Sequence, residues 1–332
     1  MANPIALTKY LILAVLTGAM VSCSGIGGEQ DRQVAGNFKV AAILPGEIND
    51  QSWGQSTHQG LQLIEKQLIA ESAYTSGSAG QSTPQLENTF RQYAEQGFDF
   101  VLGQSGDYIP ALEAIAKQFP RTKFAVLDSY SGNNFNFGSL SFRNGELGYL
   151  SGTIAALKSK THKISFIGGV ESAAAREVAV LFERGAKAMR PDMQVSIRWL
   201  GQTADPAIAK IMAQAEIQAG SDVLLVRAEQ TSTAIHQLAK ERQIYTIGWV
   251  KDCYNLAPGT VITSGIQRVP ELLLHGATLV RQGRWEGKQY KFGLREGVQD
   301  LAAFRGTLTS EEEDTVNQIK TDILTGKIDV SL

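Results

Sequence analysis

The sequence predicts an α/β protein with two doubly wound lobes, each a parallel sheet covered by helices on both faces. A chain of 332 residues is long enough for roughly two domains at about 150 residues per domain. Short apolar runs rich in β-forming residues alternate along it with segments of helical periodicity, which is typical of parallel sheets. Because the alternation occurs twice, we expect two sheets with a ligand cleft between them.

The apolar runs are predicted as strands buried on both faces, because they carry no alternation of polar and apolar residues. They are Phe38–Leu44, Phe98–Gly103, Lys123–Asp128, Lys163–Gly168, Gln194–Leu200, Asp222–Val226, Ile244–Val250 and Thr260–Thr263. Helices are predicted at Ser56–Ile69, Gln85–Glu95, Ala111–Phe119, Leu147–Lys158, Glu177–Met189, Pro206–Ala219 and Thr231–Arg242. A last helix is expected to begin near Thr309, with Ser310 and Glu313 as its capping box.

Composition excludes several classes of function. The chain has 31 basic and 33 acidic residues, a net charge of −2, and no long basic run, so we expect no nucleic-acid partner. Its four histidines show no ligand spacing and its two cysteines lie far apart, so we expect neither a metal nor a cofactor. A nucleophile elbow, a P-loop and a zinc-protease motif are all missing. We therefore predict that the protein is not an enzyme.

The N-terminal segment predicts export and a lipid anchor. Tyr10–Met20 is an apolar run, too short to span a bilayer, which needs about 20 residues, but suited to a signal peptide. Met20-Val21-Ser22-Cys23 follows and resembles a bacterial lipobox, in which Cys23 becomes lipidated. The alternative is an ordinary secretory peptide in which Cys23 is incidental. The predicted segments are residues 1–22 as signal peptide and 23–36 as a flexible tether.

Cys253 is left without a partner if Cys23 is acylated. An exported chain with a single remaining cysteine has no internal disulfide. We therefore expect Cys253 to be a packed small residue with no reactive role.

Polar and aromatic residues follow several of the predicted strands, where open α/β sheets bind their ligands. Each of them alone could be a helix cap or a core residue, but together they favour a cleft. They are Asn49, Asp50 and Trp53 after the first strand, Asp128 after the third, Arg227 and Glu229 after the sixth, and Trp249 and Asp252 in and after the seventh.

Several segments, in a fixed order from about Lys39 to Val330, resemble the Bmp (basic membrane protein) family of bacterial lipoproteins, which includes a Med-like group. The clearest are INDQSWGQSTHQGL (Ile48–Leu61), EQGFDFVLGQS (Glu95–Ser105), FPRTKFAVLD (Phe119–Asp128), LGYLSGTIAALKSK (Leu147–Lys160), KISFIGG (Lys163–Gly169), LAPGTVITS (Leu256–Ser264) and FGLREGVQDL (Phe292–Leu301). The C-terminal stretch LTSEEEDTVNQIKTDILTGKIDV is distinctive of the family.

This resemblance implies a type I periplasmic binding protein, in which two Rossmann-like lobes joined by three crossovers trap a ligand between them. The crossovers are expected near Ser139–Leu147, Thr263–Gly265 and Gly293–Gly297. The implied N-terminal lobe is residues 37–142 plus 265–293, and the C-terminal lobe is residues 143–264 plus 294–332. Family members are substrate-binding proteins of ABC transporters, and characterised members bind purine nucleosides.

The resemblance also implies that the purine lies between two aromatic rings. Trp53 stands at the Phe of the family's N-D-x-S-F-N motif, where Asn49 and Asp50 match the pair that reads the base edge. Phe182 matches the start of the F-x-x-G-F helix that carries the second ring, and Asp128 matches the acidic residue after the third strand. A base stacked on an aromatic ring gains about 1–3 kcal/mol.

The chain departs from the family pattern where ribose is held. Val250 stands at the first Asp of the family's G-V-D-S-D run, and Gln267 replaces the Lys of its T-S-x-x-K motif. Losing that carboxylate removes a charge-assisted hydrogen bond of about 1.5–3 kcal/mol. Trp249 is expected to fill the vacated volume. We therefore expect a purine-type or other flat heterocyclic ligand, bound as a nucleoside or without its sugar.

Together these observations predict a lipid-anchored solute receptor on the exported face of a membrane. It would be a monomer that delivers a purine nucleoside or related heterocycle to an ABC permease and its ATPase. The alternative is a Med-like, membrane-anchored ligand sensor with a regulatory role. An exported nucleoside hydrolase on the same scaffold is a third hypothesis, which the missing base and nucleophile disfavour.

Overall fold

Two six-stranded sheets, each flanked by helices, organise the part of the chain that the structure describes. The computed structural model describes residues 38–50, 52–202 and 205–332, except for the side chain of residue 230. Cys23, the predicted signal peptide and the predicted tether lie outside the described residues. The predicted α/β fold with two lobes is confirmed.

The first sheet is parallel throughout. Its strands are β1 (Lys39–Ile43), β2 (Glu71–Thr75), β3 (Phe100–Gly103), β4 (Lys123–Leu127), β5 (Phe137–Phe142) and β11 (Gln289–Phe292), in the order β11-β5-β4-β3-β1-β2. Its helices are α1 (Trp53–Leu68), α2 (Thr83–Glu95), α3 (Ile109–Ala116) and α8 (Val269–Arg281). Every residue of β3 and β5 is buried, as expected for a sheet with helices on both faces.

The second sheet is parallel except at one edge. Its strands are β6 (Lys163–Gly168), β7 (Gln194–Trp199), β8 (Val223–Arg227), β9 (Tyr245–Val250), β10 (Val261–Gln267) and β12 (Gln299–Leu301), in the order β12-β10-β9-β8-β6-β7. Its helices are α4 (Asn144–Lys158), α5 (Ala173–Met189), α6 (Pro206–Gln218), α7 (Ser232–Glu241) and α9 (Ser310–Leu324). No helix among the described residues is long and apolar enough to cross a membrane.

The edge strand β12 is antiparallel to β10, which corrects the prediction of a wholly parallel sheet. The N–H of Arg268, just after β10, donates to the carbonyl of Val298, just before β12, at 2.7 Å. The chain therefore enters β12 where β10 ends, and no helical crossover is needed.

Strands β2, β5, β11 and β12 and helix α8 were not predicted. β2 is a partly exposed edge strand, ESAYT, and β5 is FGSLSF, whose two serines interrupt the apolar run even though the strand is buried. The capping box of α9 is also one residue earlier than predicted. The Thr309 hydroxyl accepts the N–H of Glu312 at 3.2 Å, and the Glu312 carboxylate accepts the N–H of Thr309 at 2.8 Å.

The chain passes between the sheets three times: from β5 to α4, from β10 to α8 and from β11 to β12. Buried polar side chains join these passages. Oε2 of Glu146 accepts the N–H of Leu294 at 2.7 Å and Nε2 of Gln299 at 2.8 Å. Nε2 of Gln267 donates to Oδ1 of Asn144 at 2.9 Å. One network of hydrogen bonds therefore links the first passage to the other two.

β10 stays in the second sheet as far as Gln267, because Gly265 and Ile266 pair with Trp249 and Val250 of β9. The predicted boundary lies between residues 264 and 265, and the strand extends three residues beyond it, to Gln267. The limits of the two lobes stay a prediction.

Helices α4 and α5 approach closely because glycines face the partner backbone. A Cβ atom on Gly152 would lie 1.9 Å from the carbonyl oxygen of Phe182, and one on Gly185 would lie 2.1 Å from that of Tyr149. Neither position can carry a larger residue without moving a helix. This packing fixes Phe182 inside the core of the second lobe.

Helix α7 carries a neutral histidine that is buried. His236 is fully buried, its Nδ1 lies 2.9 Å from Oγ1 of Thr246, and burial lowers its pKa from 6.5 to about 4. In the unfolded chain the same side chain titrates near its ordinary pKa of about 6.5. Between these two values the unfolded chain binds the proton more tightly than the folded protein does.

The free energy of unfolding should therefore fall as the pH drops from about 6.5 towards 4, by about 2 kcal/mol at pH 5. His236→Gln, which cannot titrate in this range, should remove that part of the pH dependence in urea unfolding at pH 7 and pH 5. An unchanged slope in His236→Gln would contradict the assignment.

Candidate functional site

A cavity of about 700 Å³ lies where elements of both sheets meet. The first-sheet side contributes the segment before α1, α1 itself and the start of α8, and the second-sheet side contributes the ends of β9 and β10 and the start of α7. This volume suits a small molecule, for which cavities of about 300–1,000 Å³ are typical. Among the predicted site residues, those that line it are Asp50, Trp53, Glu229, Trp249, Asp252 and Gln267.

Three predicted residues, Asn49, Asp128 and Phe182, do not line this cavity. Asn49 is exposed on the segment after β1. Asp128 is half-buried after β4, where its Oδ1 accepts the N–H of Ser129 at 2.6 Å and its Oδ2 lies against Gly106. Both residues follow strands of the first sheet, but the structure does not bring them to the cavity.

Phe182, predicted to supply the second stacking ring, does not line this cavity either. Phe182 is fully buried, and its ring centroid lies 6.5 Å from that of Phe166 in the core of the second lobe. It points inward because α5 packs its apolar face on α4. Trp249 is the aromatic residue that the second sheet brings to the cavity.

Asp50 acts first as a helix cap. Its carboxylate accepts the N–H groups of Ser52 at 2.7 Å, Gly54 at 2.9 Å and Gln55 at 3.1 Å. Partial burial works to raise its pKa, but these three hydrogen bonds outweigh it and hold the pKa of Asp50 below the usual value. Asp50 is therefore an ionised acceptor at the cavity edge, fixed by the start of α1.

Gly54 allows this cap to form. A Cβ atom there would lie 2.3 Å from the carbonyl oxygen of Glu47 and 2.8 Å from Oδ2 of Asp50. The chain before α1 therefore folds tightly onto the helix, which aims Asp50 and Trp53 at the cavity.

Two indole rings reach the cavity from the two sides. Trp53, the first residue of α1, is half-buried and packs against the core of the first lobe. Trp249 on β9 is 6% exposed, and its ring lies over Gly265, where a Cβ atom would be 3.0 Å from the ring. Glycine at 265 thus leaves room for the indole.

The carboxylate of Asp252 is already engaged. Arg305 forms an ion pair with it, and its Oδ1 accepts the N–H of Tyr254 at 3.0 Å. Burial works to raise the pKa of Asp252, but the bonds from Arg305 and Tyr254 and the charge of Arg305 keep it below the usual value. Arg305 also lies over the ring of Tyr254, at 4.5 Å from its centroid.

Three other residues that line the cavity differ in their burial and in their hydrogen bonds. Gln267 is buried and tied to Asn144 at the lobe crossings, whereas Glu229 is exposed. Cys253 is a free, buried cysteine among the described residues, and burial raises the pKa of its thiol. As predicted, Cys253 is a packed residue.

Sequence reasoning missed other residues at this cavity. On α1, Ser56 and Gln59 follow Trp53 at intervals of three, so the helical period places all three on one face. Ser232 and Thr233 line the cavity from the first turn of α7, and Arg268 lines it where the chain leaves β10. A periodicity count from Trp53 could have found the first pair, but no local signal marks the others.

A second cavity, of about 670 Å³, lies beside the ion pair of Lys291 with Glu177 and the C-terminal residues 328–332. None of the predicted site residues lines it. In the described part of the chain, no group of three or more His, Cys, Asp or Glu residues could hold a metal ion.

The backbone is strained where β9 reaches the cavity. Val250 has φ of 71° and Glu229 has φ of 34°, in the region that favours glycine. For a β-branched residue such as valine this conformation is a clear outlier, and it costs about 1–2 kcal/mol. Strain of this kind concentrates at ligand sites.

Val250→Gly should therefore be more stable than Val250→Ala, because only glycine adopts positive φ without cost. The expected difference in free energy of unfolding is about 1 kcal/mol, and comparing the two variants cancels the lost packing of the valine side chain. Val226 on β8 is the control position, where the alanine variant should be more stable than the glycine variant. Urea unfolding of the four variants tests this prediction. An alanine variant that is more stable than the glycine variant at residue 250 would contradict the strain.

Comparison with known proteins places the chain in a family. The Bmp family model, described as ABC transporter substrate-binding protein PnrA-like, matches residues 38–331. The chain belongs to this family. The resemblance predicted from its sequence segments is confirmed.

Relatives of this chain carry names of different kinds. The chain is 29% identical to the ABC transporter nucleoside-binding protein BmpA of Lactococcus lactis subsp. cremoris, over 97% of this chain and 99% of that protein. It is 25% identical to the transcriptional activator protein med of Bacillus subtilis, over 87% of this chain and 90% of that protein.

Structural comparison supports the type I periplasmic binding protein fold. An ABC transporter solute-binding protein from Aeropyrum pernix K1 matches with a TM-score of 0.71 and 20% identity, over 88% of this chain and 92% of that one. At this identity the match shows the shared fold alone.

Proposed function

We propose that the chain is a lipid-anchored solute-binding protein of an ABC importer that holds a purine nucleoside or related flat heterocycle between its lobes. The model of its family is described as ABC transporter substrate-binding protein PnrA-like. The observation that carries the proposal is the cavity of about 700 Å³ with an indole from each side, Trp53 and Trp249. Lipidation at Cys23, the ligand class and a monomeric state are parts of the proposal.

Indole rings favour a flat ligand. Each base that stacks on an aromatic ring gains about 1–3 kcal/mol, and the ionised Asp50 at the cavity edge can accept a hydrogen bond from an N–H group of the base. The nucleoside-binding name of the Lactococcus lactis relative supports the same ligand class. Asn49 and Asp128, which lie outside the cavity, stay as predicted ligand residues that closure of the lobes would have to bring in.

Binding without catalysis is part of the proposal. Asp50 is held by three backbone N–H groups, and Asp252 is paired with Arg305. The raised pKa of Cys253 keeps its thiol protonated, so it is a poor nucleophile. These contacts support a receptor over a hydrolase.

Delivery to a permease follows from the two-lobed form. A ligand that contacts both lobes stabilises the closed arrangement and shifts the population towards it. We propose that the closed form docks on an ABC permease at the exported face of the membrane, where the lipidated Cys23 keeps it.

Titration calorimetry with guanosine and guanine tests this function. Trp53→Leu should weaken both ligands by about tenfold, because it removes one stacking surface, whereas Trp53→Phe should keep most of the affinity. Val250→Asp should strengthen guanosine over guanine by at least tenfold, since it restores a carboxylate for ribose hydroxyls. Val250→Asn is its matched control, with the same backbone preference and no charge.

Two results would contradict the proposal. Absence of binding by guanosine and guanine, and by anionic purines such as guanosine 5′-monophosphate, would remove the purine class. Equal affinity of Trp53→Leu and the unaltered protein would show that the ligand lies elsewhere.

The Med-like sensor is a second candidate, because one relative is named a transcriptional activator. The two candidates share the cavity and differ in partner. Loss of guanosine uptake after deletion of the gene favours the importer, and unchanged uptake with altered transcription favours the sensor.

A further inference from the structure

Two buried hydrogen-bond donors at the carboxyl edge of the second sheet have no acceptor in the part of the chain that the structure describes. They are Nε of Arg227 and Nε1 of Trp249. Trp249 lines the cavity, and Arg227 ends the neighbouring strand β8.

These donors belong to adjacent positions on one face of the sheet. β8 and β9 pair in parallel with Leu225 beside Ile247, so two residues further along Arg227 lies beside Trp249. Side chains alternate between the faces of a sheet, and Leu225, Ile247 and Trp249 pack in the same core cluster. Arg227 therefore stands on that face as well, at the carboxyl end of the sheet beside Trp249, although it is not among the residues that line the cavity.

Arg227 is partly exposed, but its Nε is buried without a partner among the described residues, whereas another buried charge of the same lobe is fully engaged. The buried carboxylate of Glu216, in the same lobe, accepts hydrogen bonds from Arg198 at 2.7 Å and from Ser165 at 2.8 Å. Burial of a charge without such partners is strongly unfavourable. For Arg227, burial lowers the pKa of the guanidinium, and the charge of Glu229 only partly opposes this.

Neighbouring structure makes the same corner favourable for an anion. β6 lies on the other side of β8, with Gly168 paired to Arg227. Helix α5 begins at Ala173, shortly after that glycine, so its positive end lies at the same edge of the sheet. A Cβ atom on Gly169 would meet only the carbonyl oxygen of Arg227, at 3.8 Å, which leaves the corner open.

We propose that Arg227 and Trp249 together bind an oxyanion of the ligand, so that this receptor prefers an anionic heterocycle over a neutral nucleoside. The oxyanion can be a phosphate on the sugar or an ionised oxygen on the ring itself. Both sources offer the acceptor that the two donors need. The inference rests on the proposed function, since it assumes that the ligand lies in this cleft.

Titration calorimetry on the full chain, with two pairs of probes, tests the oxyanion site. Guanosine is compared with guanosine 5′-monophosphate, and hypoxanthine with urate, which is an anion at neutral pH. The anionic member of at least one pair should bind at least tenfold more tightly than its neutral partner. A preference for the monophosphate places the oxyanion on the sugar, and a preference for urate places it on the ring.

Three variants connect that preference to the two donors. Arg227→Gln should abolish the preference for the anion while leaving the affinity for the neutral probe within about twofold. Trp249→Phe keeps a ring but removes the N–H, and should weaken the anionic probe about fivefold more than the neutral one. Arg242→Gln, which removes an equal charge from the exposed end of α7, is the control and should change neither.

Unfolding of the ligand-free protein gives a second, independent readout. Arg227→Met should raise the urea midpoint, because it removes a partly buried cation whose Nε has no partner in the described part of the chain. A structural arginine would give the opposite result, so a lower midpoint would count against the proposal.

The outcomes separate this inference from the function on which it rests. Equal affinity for neutral and anionic probes overturns the oxyanion site and leaves the nucleoside receptor standing. An anionic preference that survives Arg227→Gln overturns the assignment to Arg227. If none of the four probes binds, both proposals fail.

Discussion

The buried carboxylate of Glu146 holds together the region where the chain passes between its lobes. It lies at the start of α4 and accepts bonds from residues of the third passage, while neighbouring Asn144 meets Gln267 of the second. The approach depends on Gly293, where a Cβ atom would lie 2.1 Å from the carboxylate. The network therefore joins the start of α4 to both later passages, although Oε1 of Gln299, one of its members, has no hydrogen-bond partner among the described residues.

Unfavourable features of the second lobe gather at and beside this cavity. Val250 has a backbone conformation that valine avoids, and Arg227 and Trp249 bury donors without acceptors among the described residues. Elsewhere in the same lobe, the buried carboxylate of Glu216 is engaged by Arg198 and Ser165. Departures from local rules are expected at functional sites, which is why the proposals above centre on these three residues. A ligand that supplies an acceptor would offset part of their cost.

Sequence patterns predicted the strands and helices whose apolar residues follow one clear period. They missed β5, whose serines hide a buried strand, and the partly exposed edge strand β2. Strand ends drew attention to Trp53 and Trp249, which line the cavity, because parallel strands deliver their carboxyl ends to one edge. Phe182 lies in the core of the second lobe, and a matched motif says nothing about which face of α5 packs inward. The strain at Val250 and the missing partner of Arg227 depend on three-dimensional surroundings and leave no local signal.

The central claim is that a ligand is trapped between two lobes that move about the Glu146 network. Small-angle X-ray scattering of the protein, with and without the tightest-binding of guanosine, guanine and guanosine 5′-monophosphate, tests it directly. The account predicts that saturation with ligand lowers the radius of gyration, because the lobes close over the cavity. A radius of gyration that stays the same while calorimetry shows the site to be full would contradict it.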